Sequence, residues 1–158
     1  TVILPDSISA GIAWSPTPEL SIEAGAVWTR WSTFRSLNIH LPYDLPTSES
    51  RKHLKDVWRF NVGVEYDALD WLTLRAGYVF DQSPMTERYE DYLVPTDDRH
   101  IYSFGVGFKW EAWTLDLSYA YIDAIGRSYR ANPETNVLRS KADASSTNVF
   151  SLSLGYCF

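Results

Sequence analysis

Residues 150–158, Phe-Ser-Leu-Ser-Leu-Gly-Tyr-Cys-Phe, decide how this chain folds. Every even position carries a large apolar side chain, and the positions between them carry Ser, Gly or Cys. Successive side chains of a β-strand point to opposite faces of the sheet, so this alternation predicts a strand with one apolar and one polar face. Helical periodicity is almost absent, and the alternation recurs upstream. Seven strands are predicted, over residues 8–14, 20–28, 58–66, 72–80, 102–110, 113–121 and 150–158.

The composition of the two faces distinguishes a membrane barrel from a soluble sandwich. The outer face of a soluble sandwich is polar and rich in residues such as Lys, Glu and Thr. Here the second face is dominated by Gly, Ser, Ala and Thr, and the apolar face has aromatic residues at its ends. Transmembrane barrels combine an outward apolar band, aromatic girdles and a polar lumen. The pattern therefore predicts an all-β fold, a transmembrane antiparallel β-barrel, whose lumen is lined by Arg59, Glu65, Arg75 and Asp116.

The connections between the predicted strands alternate between short and long. In chain order they are residues 15–19, 37–57, 67–71, 81–100, 111–112 and 123–148. Outer-membrane barrels have short periplasmic turns and long extracellular loops, so the chain is predicted to lie in the outer membrane of a Gram-negative bacterium. The predicted periplasmic girdle comprises Trp14, Trp71, Trp110, Trp113 and Tyr156, with Phe158 at the strand end. The outer girdle comprises Trp28, Trp31, Trp58, Phe80, Tyr102 and Tyr121.

Seven strands do not complete such a barrel. Bacterial barrels have an even number of strands, and an open sheet would leave two unpaired edges in lipid. We therefore expect the sequence to be the C-terminal part of a longer chain, with the N-terminal half of the same barrel as a partner. Phe158 and the alternating residues before it resemble the terminal signal of the barrel-assembly machinery, which is a second expected partner.

The overall composition argues against several other classes of protein. The formal charge is −6, whereas nucleic-acid binding requires a basic field. The longest charge-free run, residues 144–158, contains five Ser or Thr, so no transmembrane helix is expected. Cys157 is the single cysteine, and the sequence has no Cys/His cluster suited to a metal. No metal and no cofactor are expected.

Five short segments add a family resemblance. They are residues 4–7 (Leu-Pro-Asp-Ser), the cluster Trp28, Trp31 and Phe34, residues 55–59 (Lys-Asp-Val-Trp-Arg), residues 81–84 (Asp-Gln-Ser-Pro) and residues 94–99 (Val-Pro-Thr-Asp-Asp-Arg). In this order they resemble the C-terminal half of the FadL family of outer-membrane transporters, over essentially the whole chain. The resemblance implies a 14-stranded barrel, plugged by an N-terminal hatch, that passes long-chain fatty acids or other hydrophobic compounds sideways into the outer membrane. Residues 1–158 would supply strands 8–14, without the hatch, strands 1–7 and the kinked third strand that forms the exit.

The resemblance favours a channel-type transporter for the uptake of hydrophobic small molecules. The alternative is a non-transporting barrel that serves as an adhesin or structural scaffold. An enzyme is not expected. Residues 97–100 (Asp-Asp-Arg-His) could suggest a surface hydrolase, but one loop defines no pair of nucleophile and base. These residues also belong to the Pro-x-x-Asp-Arg segment of the resemblance.

The candidate ligand-binding residues are basic. The family holds its acidic ligand partly through a lysine in the loop before the Lys-Asp-x-x-Arg strand, and Lys52 is the nearest match, with Arg51 and Lys55 as rivals. A carboxylate in an apolar cleft requires a charge-assisted partner. The alternative is contact with lipopolysaccharide phosphates, because basic residues crowd the predicted outer side. These are Arg30, Arg35, Arg51, Lys52, Lys55, Arg88, Arg99, Arg127, Arg130, Arg139 and Lys141.

The predicted lumenal charges also have two interpretations. They could line a permeation path, or they could form cross-lumen ion pairs that keep the barrel polar inside, which is the commoner use of such residues. The sequence alone leaves both open.

Overall fold

The computed structural model describes residues 4–39, 48–51, 53–86, 97–129, 131, 133 and 138–158. Strands are numbered in chain order. Seven long strands form the main sheet: β1 Ser7–Thr17, β2 Leu20–Thr29, β5 Val57–Leu69, β6 Leu72–Asp81, β7 Arg99–Trp110, β8 Trp113–Ala124 and β11 Ser145–Tyr156. Four short strands form two separate hairpins: β3 Ser36–Ile39 with β4 Ser48–Arg51, and β9 Arg127–Tyr129 with β10 Ser140–Ala142.

The main sheet follows the chain, in the order β1-β2-β5-β6-β7-β8-β11, and every neighbouring pair is antiparallel. The predicted seven-stranded topology is therefore confirmed. The two hairpins lie within predicted long connections and were not predicted, because strands of three or four residues show too little alternation. Short turns at residues 18–19, 70–71 and 111–112 lie at one end of the sheet, here called the turn end. The long connections leave the opposite end, here called the loop end.

The strand register places the apolar side chains of neighbouring strands on the same face of the sheet. Leu117 on β8 is paired with Val106 on β7 and with Leu152 on β11, so apolar side chains align across three strands. This face is exposed: Trp110 is 76% and Leu154 is 63% accessible. In the described part of the chain, no large side chain is fully buried. A soluble sandwich is excluded, because it would bury these residues between two sheets.

The turn between β7 and β8 determines which residues of β8 face the apolar side. Trp110 pairs with Trp113, so only Glu111 and Ala112 connect the two strands. Even-numbered residues of β7 lie on the apolar face and pair with odd-numbered residues of β8. The apolar face of β8 is therefore formed by its odd-numbered residues. Glu111 has a φ of 51°, in the left-handed region that tight two-residue hairpins use.

A 3₁₀ turn, Trp31–Thr33, is tied to the chain just before β5. The backbone N–H of Ser32 donates to the Asp56 carboxylate at 2.9 Å, and this bond lowers the pKa of Asp56 below its ordinary value. The Arg30 backbone N–H donates to the Asp6 carbonyl at 2.8 Å. These contacts fasten the segment that follows β2 against both the start of the chain and β5.

The two outermost strands of the main sheet each have one strand neighbour within the described residues. β1 pairs with β2, and β11 pairs with β8. An unpaired backbone group costs several kcal/mol in hydrocarbon, so a lipid-embedded sheet of this kind requires a partner at both edges. In the described segments, no helix has the length and apolarity needed to cross a bilayer.

Replacing Leu117 with Arg is expected to destabilise the folded barrel far more than replacing Ser118 with Arg. Leu117 lies midway between Trp113 and Tyr121 on the apolar face of β8, where an arginine near the bilayer centre costs about 2–4 kcal/mol. Ser118 has the same depth but lies on the polar face. Reversible denaturant unfolding in lipid vesicles measures both variants. Equal destabilisation by the two would contradict the assignment of the faces.

Candidate functional site

The polar face of the main sheet bears a hollow of about 730 Å³. Charged side chains line its two ends, with Arg59 towards the loop end and Glu23, Glu65 and Arg75 towards the turn end. The wall between these ends is built from short side chains, which leave the centre open. They include Asn61, Gly63, Gly77, Ser103, Gly105 and Ser118. Ala13 and Ser21 also line the hollow, beside Glu23 and Glu65 at the turn end.

Arg75 joins three strands through two ion pairs. Its Nε donates to Glu65 Oε2 at 2.6 Å on β5, and its Nη1 donates to Asp116 Oδ1 at 2.7 Å on β8. Because β7 lies between β6 and β8, the second bond has to cross a whole strand. The structure thus brings three of the four predicted lumenal residues together along one wall. Arg59 lies apart from them, six residues before Glu65 on β5.

A glycine makes the longer of these crossings possible. A Cβ at Gly107 would lie 2.8 Å from Asp116 Oδ1 and 2.9 Å from Arg75 Nη1, so any side chain there would displace the ion pair. The adjacent glycine on the same face, Gly105, has more room, since its Cβ would meet Arg75 Cβ at 3.5 Å. The sequence shows the glycines of this face, but this packing role depends on strand register and is not visible in it.

Other polar side chains of this face lie flat across glycines in the same way. The Asn61 side chain lies over Gly25, the Glu23 side chain over Gly63, and the Ser103 hydroxyl over Gly77. A Cβ at Gly25 would approach Asn61 Oδ1 to 2.9 Å. These three side chains therefore follow the sheet surface instead of projecting into the hollow.

The two most specific segments of the family resemblance meet at the loop end. The Arg99 guanidinium donates to the Asp81 carboxylate, and the Ser83 backbone N–H donates to Asp98 Oδ1 at 2.8 Å. Each bond joins one end of the long β6–β7 connection to the other. The Asp-x-Ser-Pro and Pro-x-x-Asp-Arg segments thus close the base of this connection.

The same segment also reaches the residues that lead into β5. The Lys55 backbone N–H donates to the Pro84 carbonyl at 2.9 Å. Trp58 and Gln82 exchange two hydrogen bonds, since the Trp58 N–H donates to Gln82 Oε1 at 2.9 Å and the Gln82 N–H donates to the Trp58 carbonyl at 3.2 Å. Residues 81–84 therefore fasten two neighbouring connections to each other.

Residues 97–100 do not converge on a common point. Arg99 is paired with Asp81 on the polar face, whereas His100 pairs in register with Phe80 on the apolar face. The His100 Nδ1 lies 2.7 Å from the Tyr78 hydroxyl. Asp97 accepts a hydrogen bond from the Asp98 N–H at 2.8 Å. These side chains have structural partners, and their arrangement does not bring a nucleophile and a base together.

The predicted girdle residues lie at the two ends of the apolar face. At the turn end, Trp14 and Trp110 are exposed, and Trp113 packs against Tyr156 with ring centroids 4.8 Å apart. Phe158 contacts Tyr156 edge to face at 5.2 Å. At the loop end, Trp28 pairs in register with Trp58. Trp31 lies beyond β2 in the 3₁₀ turn, with an edge-to-face contact to Phe34 at 6.4 Å.

The predicted ligand cations cannot all be placed. Arg51 is the last residue of β4, and Lys55 is exposed just before β5. Lys52 lies outside the described residues, as do Arg88 and Arg130. Several of the other predicted outer cations face a carboxylate: Arg30 with Asp6 at 3.9 Å, Arg99 with Asp81, Arg127 with Asp97 at 3.8 Å and Lys141 with Asp143 at 3.3 Å.

Replacing Gly107 with Ala is expected to destabilise the barrel, and replacing Gly105 with Ala is expected to leave its stability unchanged or slightly raised. The new methyl group at position 107 would separate Arg75 from Asp116, and an exposed ion pair contributes about 0.2–1 kcal/mol. Denaturant unfolding compares the two variants. The effect at position 107 should shrink in an Asp116→Asn background, because the pair is already weakened there. Equal losses at both glycines would contradict this account.

Comparison with known proteins gives the family. The sequence model of the family described as outer membrane protein transport protein (OMPP1/FadL/TodX) matches residues 1–158. Outer membrane protein P1 of Haemophilus influenzae is 28% identical over 171 residues, which cover 100% of this chain and 36% of that protein. The long-chain fatty acid transport protein of Escherichia coli strain K12 is 26% identical over 73% of this chain and 26% of its own length.

Solved structures support the same family and fold. A Pseudomonas aeruginosa FadL homologue superposes with a TM-score of 0.82 and 28% identity over 96% of this chain and 35% of its own. The Ralstonia pickettii toluene transporter TbuX superposes with a TM-score of 0.65 and 16% identity, over 97% and 33%, and shows the shared fold. The chain spans about a third of the length of these proteins. It is a seven-stranded part of an outer-membrane β-barrel and belongs to the OMPP1/FadL/TodX family of outer-membrane transport proteins.

Proposed function

We propose that this chain forms the C-terminal seven strands of a 14-stranded barrel that takes up hydrophobic small molecules, such as long-chain fatty acids or hydrocarbons, across the outer membrane. Family membership supports transport as the general activity. A relative that covers most of this chain carries long-chain fatty acid transport in its name. An N-terminal hatch and strands 1–7 would complete the barrel.

The observation that carries this proposal is the open centre of the polar face. Side chains fill the interior of an eight-stranded barrel, whereas wider barrels leave a channel or hold a plug. Here most of the polar-face residues that line the 730 Å³ hollow are Gly, Ser, Ala or Asn, and the Asn61, Glu23 and Ser103 side chains lie flat on the sheet. A passage of this kind leaves room for a bulky ligand beside the wall. No comparable observation favours an adhesin or scaffold, or an enzyme.

The proposed partners follow from the three exposed parts of the sheet. The outer edges of β1 and β11, which have no strand neighbour among the described residues, are suited to the N-terminal half of the same barrel. The apolar face and its aromatic ends are suited to lipid, with lipopolysaccharide at the loop end. Phe158, fully exposed after β11, is suited to recognition by the barrel-assembly machinery.

Flux measurement tests the proposal. Vesicles that contain the complete barrel should accumulate a radiolabelled long-chain fatty acid faster than vesicles that contain a non-transporting outer-membrane barrel. A rate equal to that of this control would contradict transport and favour the scaffold alternative.

Replacing Lys52 with Ala in the complete barrel is expected to weaken carboxylate binding by about 1.5–3 kcal/mol, the contribution of a hydrogen bond to a charged group. A hydrocarbon of equal length should bind almost unchanged, because it has no charge for the lysine to pair with. Isothermal titration of each ligand measures the difference. Arg51→Ala and Lys55→Ala serve as matched variants, because these two residues are the rival candidates.

Three outcomes distinguish the possibilities for this loop. A selective loss at one position identifies the cation that holds the carboxylate. Equal losses for both ligands would indicate that the substitution disturbed the loop. No loss at any of the three positions would contradict a ligand role and leave lipopolysaccharide contact as their function.

A further inference from the structure

We infer that Arg59, inside the barrel, binds the carboxylate of an acidic hydrophobic ligand and holds it at the loop end of the lumen. The inference rests on the proposed function and adds a specific site to it. That site lies on the barrel wall, in β5, and is separate from the Lys52 loop. Its parts are an arginine whose side chain has no partner among the described residues, an adjacent apolar row and an acidic cluster at the opposite end of the hollow.

Arg59 has no ion-pair or hydrogen-bond partner for its side chain among the described residues, although a carboxylate lies beside it. Asp81 is its register neighbour on β6, but that carboxylate accepts the Arg99 guanidinium from the other side. The Asp81 side chain is only 19% exposed, whereas Arg99 remains 43% exposed. This row of the polar face therefore holds two cations for one anion, and Arg59 keeps its donors available to the hollow that it lines.

An apolar row lies one step further into the sheet from Arg59. Val79, Ile101 and Ile122 are register neighbours on β6, β7 and β8. They share the polar face with Arg59, because Val79 pairs with Asn61, two residues along from Arg59. Val27, the register neighbour of Arg59 on β2, adds a further branched aliphatic side chain to this end of the face. Beside the Arg59 guanidinium, these branched side chains supply the apolar surface that an alkyl chain requires.

The opposite end of the hollow would reject a carboxylate. Arg75 is already shared between Glu65 and Asp116, and Glu23 lies nearby on the same face. Three carboxylates and one guanidinium leave that cluster negative. Glu65 lies six residues from Arg59, about 20 Å along a strand. This separation exceeds the Debye length of about 8 Å at physiological ionic strength, so the acidic cluster does not cancel the attraction of Arg59.

The chemistry of the site selects a planar anion. A guanidinium can donate two parallel hydrogen bonds to a carboxylate, and this fork geometry is stronger and more directional than contact with an ammonium. An acidic ligand would hold its head at Arg59, with its chain against Val79, Ile101 and Ile122. A neutral hydrocarbon would contact only the apolar row.

Equilibrium binding of palmitate and methyl palmitate to the complete barrel, in non-ionic detergent, tests the inference. Arg59→Met should weaken palmitate binding roughly 10- to 100-fold, as loss of a charged hydrogen bond predicts, and leave methyl palmitate nearly unchanged. Arg59→Lys, which keeps the charge but loses the fork, should give an intermediate loss. Lys109→Met is the matched control. Lys109 is an exposed cation on β7 that shares the polar face of the sheet with Arg59 but lies at the turn end. The Lys109→Met variant should bind both ligands as the unmodified barrel does.

The possible results distinguish a failure of the Arg59 site from a failure of the proposed function. If neither ligand binds the unmodified barrel, the proposed function fails. If both ligands bind the unmodified barrel, two results would show that the inference about Arg59 is wrong. One is normal palmitate binding by Arg59→Met. The other is a loss of palmitate affinity in Lys109→Met as large as that in Arg59→Met. If Arg59→Met does not fold, as judged by heat-modifiable electrophoretic mobility, the palmitate affinities of Arg59→Lys and of the unmodified barrel are compared instead. Equal affinities would then contradict the inference. Equal affinity of the unmodified barrel for palmitate and methyl palmitate would also overturn the inference.

Discussion

Backbone hydrogen bonding within hydrocarbon is the constraint on which the rest of this structure depends. Lipid offers no donors or acceptors, so each strand has to satisfy its N–H and C=O groups through its neighbours. The main sheet does so by pairing strands in chain order through seven antiparallel strands. A shift of one residue would exchange the two faces of a strand, and Leu117 would then lie on the same side as Arg75. Register therefore determines both the lipid surface and the lumenal surface.

The polar face shows how a wall can hold charges and still leave room for a ligand. Gly107 allows Arg75 to reach Asp116 across an intervening strand, and Gly25 and Gly63 accommodate side chains in the same flat arrangement. Within the described residues, charge is distributed unevenly along this wall: Arg59 near the loop end has no ion-pair partner, and carboxylates are in excess near the turn end. Arg75, Glu65 and Asp116 form ion pairs along this wall, as the second interpretation of the lumenal charges expected, and a role of Arg59 in a permeation path stays a prediction.

Sequence analysis predicted the parts of the fold that depend on local pattern. Alternation located all seven long strands, and the two residues between Trp110 and Trp113 marked a tight turn. It did not predict β3, β4, β9 and β10, because such short strands carry no extended alternation. Pairing of Arg75 with Asp116, 41 positions apart in the chain, depends on the register of three strands, which no local window contains. The sequence also could not show that Arg59 has no side-chain partner among the described residues, because this depends on the ion pair between Asp81 and Arg99.

Spin labels placed one at a time along β8, in the complete barrel reconstituted in lipid with its native cysteines replaced, test the central claim most directly. Collision with oxygen, which concentrates in lipid, and with a water-soluble nickel chelate can be measured at each position from 113 to 121. The account predicts a period of two residues, with oxygen collisions highest at Leu115, Leu117 and Tyr119 and nickel collisions highest at Thr114, Asp116 and Ser118. Low oxygen collision at the odd positions, or the absence of alternation, would contradict a barrel wall with lipid on one side and a water-filled lumen on the other.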